Sequence, residues 1–593
     1  MQRSFLNVER SATGRRWETR LEDARIAEAI SQRHELPDIL GRVLAARGVG
    51  VDEAEAFLNP TLRTLMPQSS AIRDMEKGAE RLGDAVMGAE KIGVISDYDV
   101  DGVSSAALLL LFLRAVGHDA RVHIPDRIIE GYGPSAEAVT ALKEQGVAVL
   151  VTLDCGVAAH DPLAHAAELG LTTIIVDHHQ AGETLPQAHA VINPNRQDDV
   201  SGFGYLCAAG VVMILIAAIN KLLRQRGWYS AARPEPNMLQ WLELVSLATV
   251  CDVVPLKGLN RAYVTQGLKI MARRENVGLA ALADVARLKS KPDCYALGFM
   301  LGPRLNAAGR IGNAGLALQL LTTRDRGEAM NIAQELERLN RERQGIEMAV
   351  VDQAVRQAEA AMGKEGRQQV LVVSGRGWHP GVVGLAAARL KERFGKPSFV
   401  LAEDKEGRFA MGSGRSISGV NLGAAVRAAF ETGVIAKGGG HAMAAGLTVE
   451  VTRLGELRAF LEEKLASEVE AATNRGLIID GALSAGGATL ELIELLEQAG
   501  PFGAGHPAPV FAFPAHRITY AAQAGGDHIR CTLVSQDGKR IKAIAFRVMG
   551  TELGELLLAE RSFPLHVAGR LTVDDWGSSR VPSVHIEDVA RVS

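Results

Sequence analysis

Between residues 92 and 252, short runs of β-branched and aliphatic residues break off four times into carboxylates or imidazoles. Ile92-Gly-Val-Ile-Ser96 leads into Asp97-Tyr98-Asp99-Val100-Asp101-Gly102, and Val151-Thr-Leu153 leads into Asp154-Cys155-Gly156. Leu171-Thr-Thr-Ile-Ile-Val176 leads into Asp177-His178-His179, and Thr249-Val-Cys251 leads into Asp252. Runs of this kind make strands buried on both faces of a parallel sheet. In such a sheet the strand ends converge on one edge, where α/β proteins place their ligands. Carboxylates gathered there repel one another strongly unless cations hold them together. All four acidic ends are expected to be strand ends, and together they predict metal-dependent phosphoester chemistry.

The rest of the chain divides around this region. From Lys91 to about Asp252 strand and helix patterns alternate, the βαβ signature of a doubly wound parallel sheet. The expected strands are Ile92–Ser96, Ala148–Leu153, Thr173–Val176 and Ala190–Ile192, with helices such as Ser104–Val116 and Ser135–Gln145 between them. Residues 1–70 read as a mixed-charge helical segment, and 237–325 as mainly helical, so that 71–325 makes the catalytic domain. Residues 326–362 have few breakers and an irregular apolar stripe at Leu336, Leu339, Ile346, Val350 and Ala354. That stripe fits an ordinary surface helix or a helix linking two lobes. A second, smaller and glycine-rich α/β lobe spans 363–470, and short strand-like runs over 478–593 suggest an OB-like β-barrel.

Composition narrows the partners and the compartment. A chain of 593 residues exceeds what one core can organise. Its cysteines, at 155, 207, 251, 294 and 531, form no CxxC pair, which points to a reducing cytoplasm. The Met1-Gln-Arg-Ser-Phe5 start lacks the apolar core of a signal peptide. Ala208 to Leu223 is short for a membrane span and is interrupted by Asn220 and Lys221, so it reads as a buried helix and no membrane is expected. The net charge of −4 does not exclude nucleic acid, because phosphate affinity depends on local Lys and Arg placement.

Each acidic end has a plainer reading when taken alone. Asp154 and Asp252 could turn the chain or cap a helix, and His178-His179 could be a hydrogen-bonded core pair. Asp97-x-Asp99-x-Asp101-Gly102 also resembles the start of a calcium loop, but the glutamate that such a loop needs further on is absent. Four acidic ends in one domain share a single explanation, metal binding. Gly102 permits an unusual turn, and a helix starting near Ser104 would present its amino end to anions. Hard carboxylates with one imidazole suit Mn²⁺ or Mg²⁺ better than zinc, and the histidine tilts the choice to Mn²⁺. Two such ions about 3.5–4 Å apart activate a water and stabilise the attacking and leaving oxygens.

The stretches Ser96–Gly102, Leu153–Gly156, Val176–His179 and Thr249–Leu256 resemble, in order and spacing, the four motifs of the DHH phosphoesterase superfamily. Gly412–Ile417 and Gly438–Leu447 resemble its DHHA1 partner domain. Gly302-Pro-Arg304-Leu-Asn306-Ala-Ala-Gly309-Arg310 and the C-terminal β-domain narrow the likeness to bacterial exonucleases specific for single-stranded DNA. The resemblance implies an α/β protein: a parallel-sheet DHH domain joined by a long helix to a smaller α/β DHHA1 domain, plus a C-terminal OB-like β-barrel. It implies Asp99, Asp101, Asp154, His178 and Asp252 as ligands of two divalent cations, with Asp154 between them. Asp97 stands where some relatives lack a carboxylate, so its part as a ligand is left open. Asp154, His179 and Asp101 form the implied catalytic set, His179 contacting the scissile phosphate or orienting a neighbour.

The second lobe is expected to hold the substrate. Ser413 and Arg415 pair a hydroxyl with a planar cation among glycines, which fits a phosphate. Arg304 and Arg310 are expected in the same pocket, with Asn306 beside them. Gly439 and Gly440 could supply amides for an anion nest facing His441, or simply a tight turn. Trp378 and His379 could stack on or hydrogen-bond a nucleotide. The resemblance implies that these groups recognise a terminal 5′-phosphate and set 5′-to-3′ polarity, in DNA repair and recombination. With aromatic residues at 5%, the barrel's groove would bind backbone more than bases. Further implied partners are a single-strand-binding protein and a RecQ-type helicase, the chain acting as a monomer in the bacterial cytoplasm at the nucleoid. Two other readings are a phosphodiesterase for oligonucleotides or cyclic dinucleotides, and a non-catalytic replication scaffold. The long chain disfavours the first, and the filled ligand positions disfavour the second.

Overall fold

The apolar runs form the strands Ile92–Ser96, Val149–Leu153, Thr172–Val176 and Ala190–Ile192, and every residue in them except Thr172 is buried. With the edge strand Ala120–His123 they make a five-stranded sheet in which every pairing is parallel. Side chains buried on both faces favour this arrangement, because helices cover both sides of a parallel sheet. The spatial order is 120–123, 92–96, 149–153, 172–176, 190–192, so the winding reverses beside the first strand. A crevice opens at such a switch point, here between the ends of 92–96 and 149–153. The helices Val100–Ala115, Ala208–Gln225 and Leu242–Cys251 share one core with the sheet. Ala208–Gln225 is long and apolar enough to cross a membrane by length and composition, yet 72% of it is buried inside the protein.

The structure is a computed structural model that describes residues 4–21, 23–127, 129–363, 368–473, 475–559, 563–574 and 580–592. Residues 1–3 of the expected N-terminal segment, 364–367 of the expected second lobe, and 560–562, 575–579 and 593 of the expected barrel lie outside the described residues. The chain divides into two compact units, residues 62–473 and residues 1–61 with 474–593.

Within the first unit, the 37-residue helix Arg326–Met362 joins two cores. Its first half buries Ala329, Ile332, Leu336 and Leu339 with the parallel sheet, and its second half buries Val350, Ala354 and Ala358 in the second lobe. This is the linking helix rather than the surface one. The second lobe is a five-stranded sheet ordered 437–440, 444–450, 409–415, 398–403, 371–376. Only its last pairing is parallel.

In the second unit, the strands Phe511–Ala524, His528–Val534, Arg540–Ala545, Val581–Arg591 and Leu565–Asp574 pair in that order. Leu565–Asp574 then pairs back onto Phe511–Ala524, closing a five-stranded barrel of OB type. The N-terminal segment is not a separate helical piece. Its strand Trp17–Thr19 pairs in parallel with Leu477–Ile479, and the Trp17 indole donates to Asp588 at 3.0 Å. Helices Ala24–Arg33 and Asp38–Ala45 insert Ile30, Leu40 and Leu44 into the barrel core. Helices this short bury too little apolar surface to persist alone.

The helix Leu242–Cys251 carries a destabilising acid in its first turn. Glu243 is 3% exposed, and one of its carboxylate oxygens has no hydrogen-bond partner. Burial, and then the nearby Glu275, push its pKa from 4.5 up to about 8. A carboxyl raised in the folded state keeps a proton that the unfolded chain has released, so this group lowers stability progressively between pH 4.5 and 8. Glu243→Gln should therefore stabilise the protein at pH 8 and do little at pH 5. The gain should grow by at most about 1.4 kcal/mol per pH unit. Urea unfolding at the two pH values checks this, and an equal effect at both would refute it.

Candidate metal centre

Ser96, Leu153, Val176 and Ile192 occupy one register row at the carboxyl edge of the parallel sheet. The residues that follow, Asp97, Asp154, Asp177 and Asn193, therefore leave the sheet side by side. The amides of Asp97, Asp154 and Asp177 close the row by donating to the carbonyls of Leu153, Val176 and Ile192 at 3.1, 2.9 and 3.1 Å. Three of the four acidic ends are strand ends, as expected. Asp252 is not: it caps the carboxyl end of the helix Leu242–Cys251. Its β-branched approach misled because Thr249 sits in a longer buried helical run, with its hydroxyl bonded to the Val245 carbonyl one turn back at 2.7 Å.

The helix expected from about Ser104 begins four residues earlier, at Val100. Asp99 is its N-cap and accepts from the amides of Asp101 and Gly102 at 2.9 and 3.2 Å. Gly102 is required there, since a Cβ would lie 2.4 Å from the Asp97 carbonyl oxygen. The Asp101 carboxylate accepts from the amides of Ala208 at 2.7 Å and Ala209 at 2.9 Å, capping the helix Ala208–Gln225 from across the domain. The positive end of that helix favours its negative charge.

These elements bring the predicted ligands together. His178 Nε2 lies 3.3 Å from Asp154, 3.6 Å from Asp252 and 3.8 Å from Asp101. Three groups, Asp97 with Asp99 and Asp154, Asp101 with His178 and Asp252, and Asp154 with His178 and His179, each offer ligand atoms within 4.8 Å of one another. Asp154 belongs to two of them, and Asp97 stands inside the first. Burial first, and neighbouring carboxylates next, raise the pKa values of Asp97, Asp154 and Asp252 well above the ordinary range. Burial, the largest influence, lowers that of His178 and so favours the neutral imidazole, against the pull of Asp101. One oxygen on each of Asp97, Asp154 and Asp252 is buried without a hydrogen-bond partner. Bare carboxylate oxygens beside a neutral imidazole fit a pair of divalent cations of the Mn²⁺ or Mg²⁺ kind.

Asp177 has a different task. One of its oxygens accepts from the amides of His178 and His179 and from the His179 ring Nδ1, at 2.8, 3.1 and 2.8 Å, and the other accepts from Val157 at 3.0 Å. Burial opposes ionisation, but these bonds, that from His179 foremost, hold the carboxyl down at about 2. In turn Asp177 overrides the effect of burial on His179 and raises its pKa. The pairing fixes the His179 ring with Nε2 turned away from Asp177. Tyr132, which the sequence did not single out, donates its hydroxyl to the Asp154 carbonyl at 3.0 Å and lies 3.3 Å from His179 Nδ1.

The second lobe reaches the same place. The His441 ring stacks on that of His179 at 5.9 Å and 26°. Arg310 donates to the Gly381 carbonyl at 3.0 Å, and burial, then Arg127, Arg415 and Arg343, lower its pKa to about 10. Burial and Arg127 lower that of Arg415 too. Neither Arg127, Arg310 nor Arg415 forms a salt bridge among the described residues. Mutually repelling guanidinium groups of this kind fit a phosphate. Sequence reasoning missed Arg127 because a lone arginine in a loop after an edge strand carries no pattern; its guanidinium lies 5.1 Å over the Tyr98 ring.

Several expected substrate groups are placed otherwise. Arg304 is tied to Glu337 of the long helix at 2.7 Å and to the Met300 carbonyl at 2.6 Å, rather than joining Arg415. Six residues separate it from Arg310, so the two lie on different faces of one helix. Asn306 accepts from the Val100 amide at 3.2 Å and so steadies the start of the Asp97–Asp101 turn. Trp378 is buried, with its indole donating to Gln353, and cannot stack on a base. His379 Nδ1 accepts from the Gly381 amide at 3.1 Å. Gly439 and Gly440 belong to an extended edge strand paired antiparallel with Ala444–Glu450, in which alternate amides face the partner strand and the others face outward. Ser413 and Arg415 share the strand Phe409–Arg415, their side chains beside Gly384.

Residues 91–249 match the DHH family N-terminal domain, residues 367–467 the DHHA1 domain and residues 479–588 the RecJ OB domain. The chain is 34% identical over 564 residues to the single-stranded-DNA-specific exonuclease RecJ of Salmonella typhimurium, covering 94% of this chain and 96% of that one. It is 36% identical over 524 residues to the Escherichia coli protein of the same name, covering 87% and 90%. The crystal structure of RecJ from Thermus thermophilus in complex with Mn²⁺ is similar over 96% of this chain and 78% of that one, with a TM-score of 0.79 and 27% identity. With its parallel-sheet centre, its second lobe and its barrel all matched, the chain belongs to the RecJ family of DHH phosphoesterases.

Proposed function

We propose that the chain is a cation-dependent exonuclease that hydrolyses single-stranded DNA from its 5′ end. One observation carries this reading: a cluster of carboxylates with bare oxygens stands beside arginines that form no salt bridge among the described residues. A phosphodiester flanked by a terminal phosphate complements both halves. Two divalent cations, Mn²⁺ ahead of Mg²⁺, would be held by Asp97, Asp99, Asp101, Asp154, His178 and Asp252, and supply an activated water and charge stabilisation.

The chain's own residues do the rest. Arg415 and Arg310, with Arg127 and Ser413, anchor a terminal 5′-phosphate, which places the next phosphodiester bond at the carboxylates and fixes 5′-to-3′ polarity. His179, oriented by Asp177, offers Nε2 to the scissile phosphate or the leaving oxygen. His441 meets the substrate from the second lobe. The barrel holds the strand mainly through its backbone. We place the protein in DNA repair and recombination in the bacterial cytoplasm at the nucleoid, as a monomer working with a single-strand-binding protein and a RecQ-type helicase.

Asp154→Asn should lower turnover by at least about 100-fold and lose the rise in melting temperature that Mn²⁺ gives the unaltered protein. Normal turnover with an unchanged thermal shift would remove Asp154 from the centre. Arg415→Ala should reduce the preference for 5′-phosphate over 5′-hydroxyl ends by about 10- to 100-fold. Competition between the two substrates measures this, and an unchanged preference assigns the phosphate elsewhere. With end-labelled single strands, mononucleotides should leave from the 5′ end first; release from the 3′ end would overturn the polarity.

A further inference from the structure

Asn193 is the fourth residue of the row that begins Asp97, Asp154, Asp177, and it alone is uncharged. It is fully buried. Its side-chain nitrogen donates to the His179 carbonyl at 2.9 Å, and its oxygen accepts from the Asn195 amide at 2.7 Å. Asn195 in turn donates to the His178 carbonyl at 2.6 Å and to the Gly204 carbonyl at 3.0 Å. The approach is so close that a Cβ at Gly204 would lie 2.2 Å from the Asn195 side-chain oxygen. A few residues on, the amides of Ala208 and Ala209 hold Asp101. One segment, 193–209, thus grips the backbone of both histidines and the carboxylate of the opposite turn.

The sheet ladder ends at Val176, so the carbonyls of His178 and His179 have no strand partner. Two side-chain amides satisfy them and thereby fix the peptide planes from which both rings project. The direction of the His178 side chain decides whether Nε2 meets Asp101, Asp154 and Asp252 together, and a small rotation would lose one of them. The hydrogen bonds of both asparagines go to backbone groups of the turn and its neighbours rather than to the ligand side chains. Groups that orient ligands without touching the ion change metal affinity by about 10- to 100-fold when removed.

We propose that Asn193 and Asn195 are positioning residues that set the divalent-cation affinity of the centre by clamping the His178-His179 turn. The proposal rests on the metal-centre reading above. Its test is Mn²⁺ titration by calorimetry on DNA-free protein carrying Asn195→Asp, which keeps the shape but loses the donor, and Asn193→Ser. The expected result is a Kd for Mn²⁺ about 10- to 100-fold weaker. The Mn²⁺ concentration for half-maximal activity should rise by the same factor, kcat should recover at saturating Mn²⁺, and single-strand binding in chelator should be unchanged. A Kd within twofold of the unaltered protein overturns the proposal, whether or not the melting temperature falls. Should Asn195→Asp fail to fold, Asn195→Ser is read in the same way. If the unaltered protein binds no Mn²⁺, the metal-centre reading fails instead.

Discussion

Repulsion among buried carboxylates is the constraint around which the parallel-sheet domain is arranged. Asp97, Asp101, Asp154 and Asp177 are each at most 5% exposed and lie at one sheet edge. Backbone amides answer part of this charge: two hold Asp101, two hold Asp99 and three hold Asp177. Asp97, Asp154 and Asp252 keep bare oxygens. The amide bonds fix the turns that carry Asp99, Asp101 and Asp177, and the bare oxygens of Asp97, Asp154 and Asp252 are left without a protein hydrogen-bond partner. The apolar helices that exclude water behind the edge make the arrangement demanding, since at low dielectric each uncompensated charge is felt by its neighbours.

Opposite charge stands close by. Burial first, and then Arg127 and Arg415, lower the basicity of Arg310, and burial and Arg127 lower that of Arg415, while Asp99 partly offsets the effect on Arg310. A substrate carrying successive phosphates relieves both imbalances at once. The long helix makes the encounter reproducible, because its two halves are packed into the cores of the two lobes and tie them into one unit. The Gly302–Ile311 helix adds to this, steadying the acidic turn through Asn306 and reaching the second lobe through Arg310.

Much of the candidate site was legible from local pattern. The strand ends at Asp97, Asp154 and Asp177, the long helix and the barrel follow from periodicities and breakers a few residues apart. The motif resemblance singled out His178, His179, Arg310, Arg415 and His441, which the fold draws together. Other positions could not be read this way. Asp252 sits after a β-branched run that forms the last turn of the longer apolar helix Leu242–Cys251. Arg304 has the composition of a phosphate ligand but finds Glu337 first. The glycine run at 438–440 reads as a nest or tight turn but lies in an extended edge strand.

Residue types and short-range spacing alone determined the fold class and the chemistry of the centre, because strand length, side-chain alternation and capping are local properties. Tertiary structure decided which of the acids keep bare oxygens, that Arg127 and Tyr132 face the centre, and that residues 4–61 complete the barrel's core. It also assigned Asn193 and Asn195 to the histidine turn. Those outcomes depend on pairings between residues tens to hundreds of positions apart, and only packing settles which of several chemically equivalent partners comes within hydrogen-bond reach.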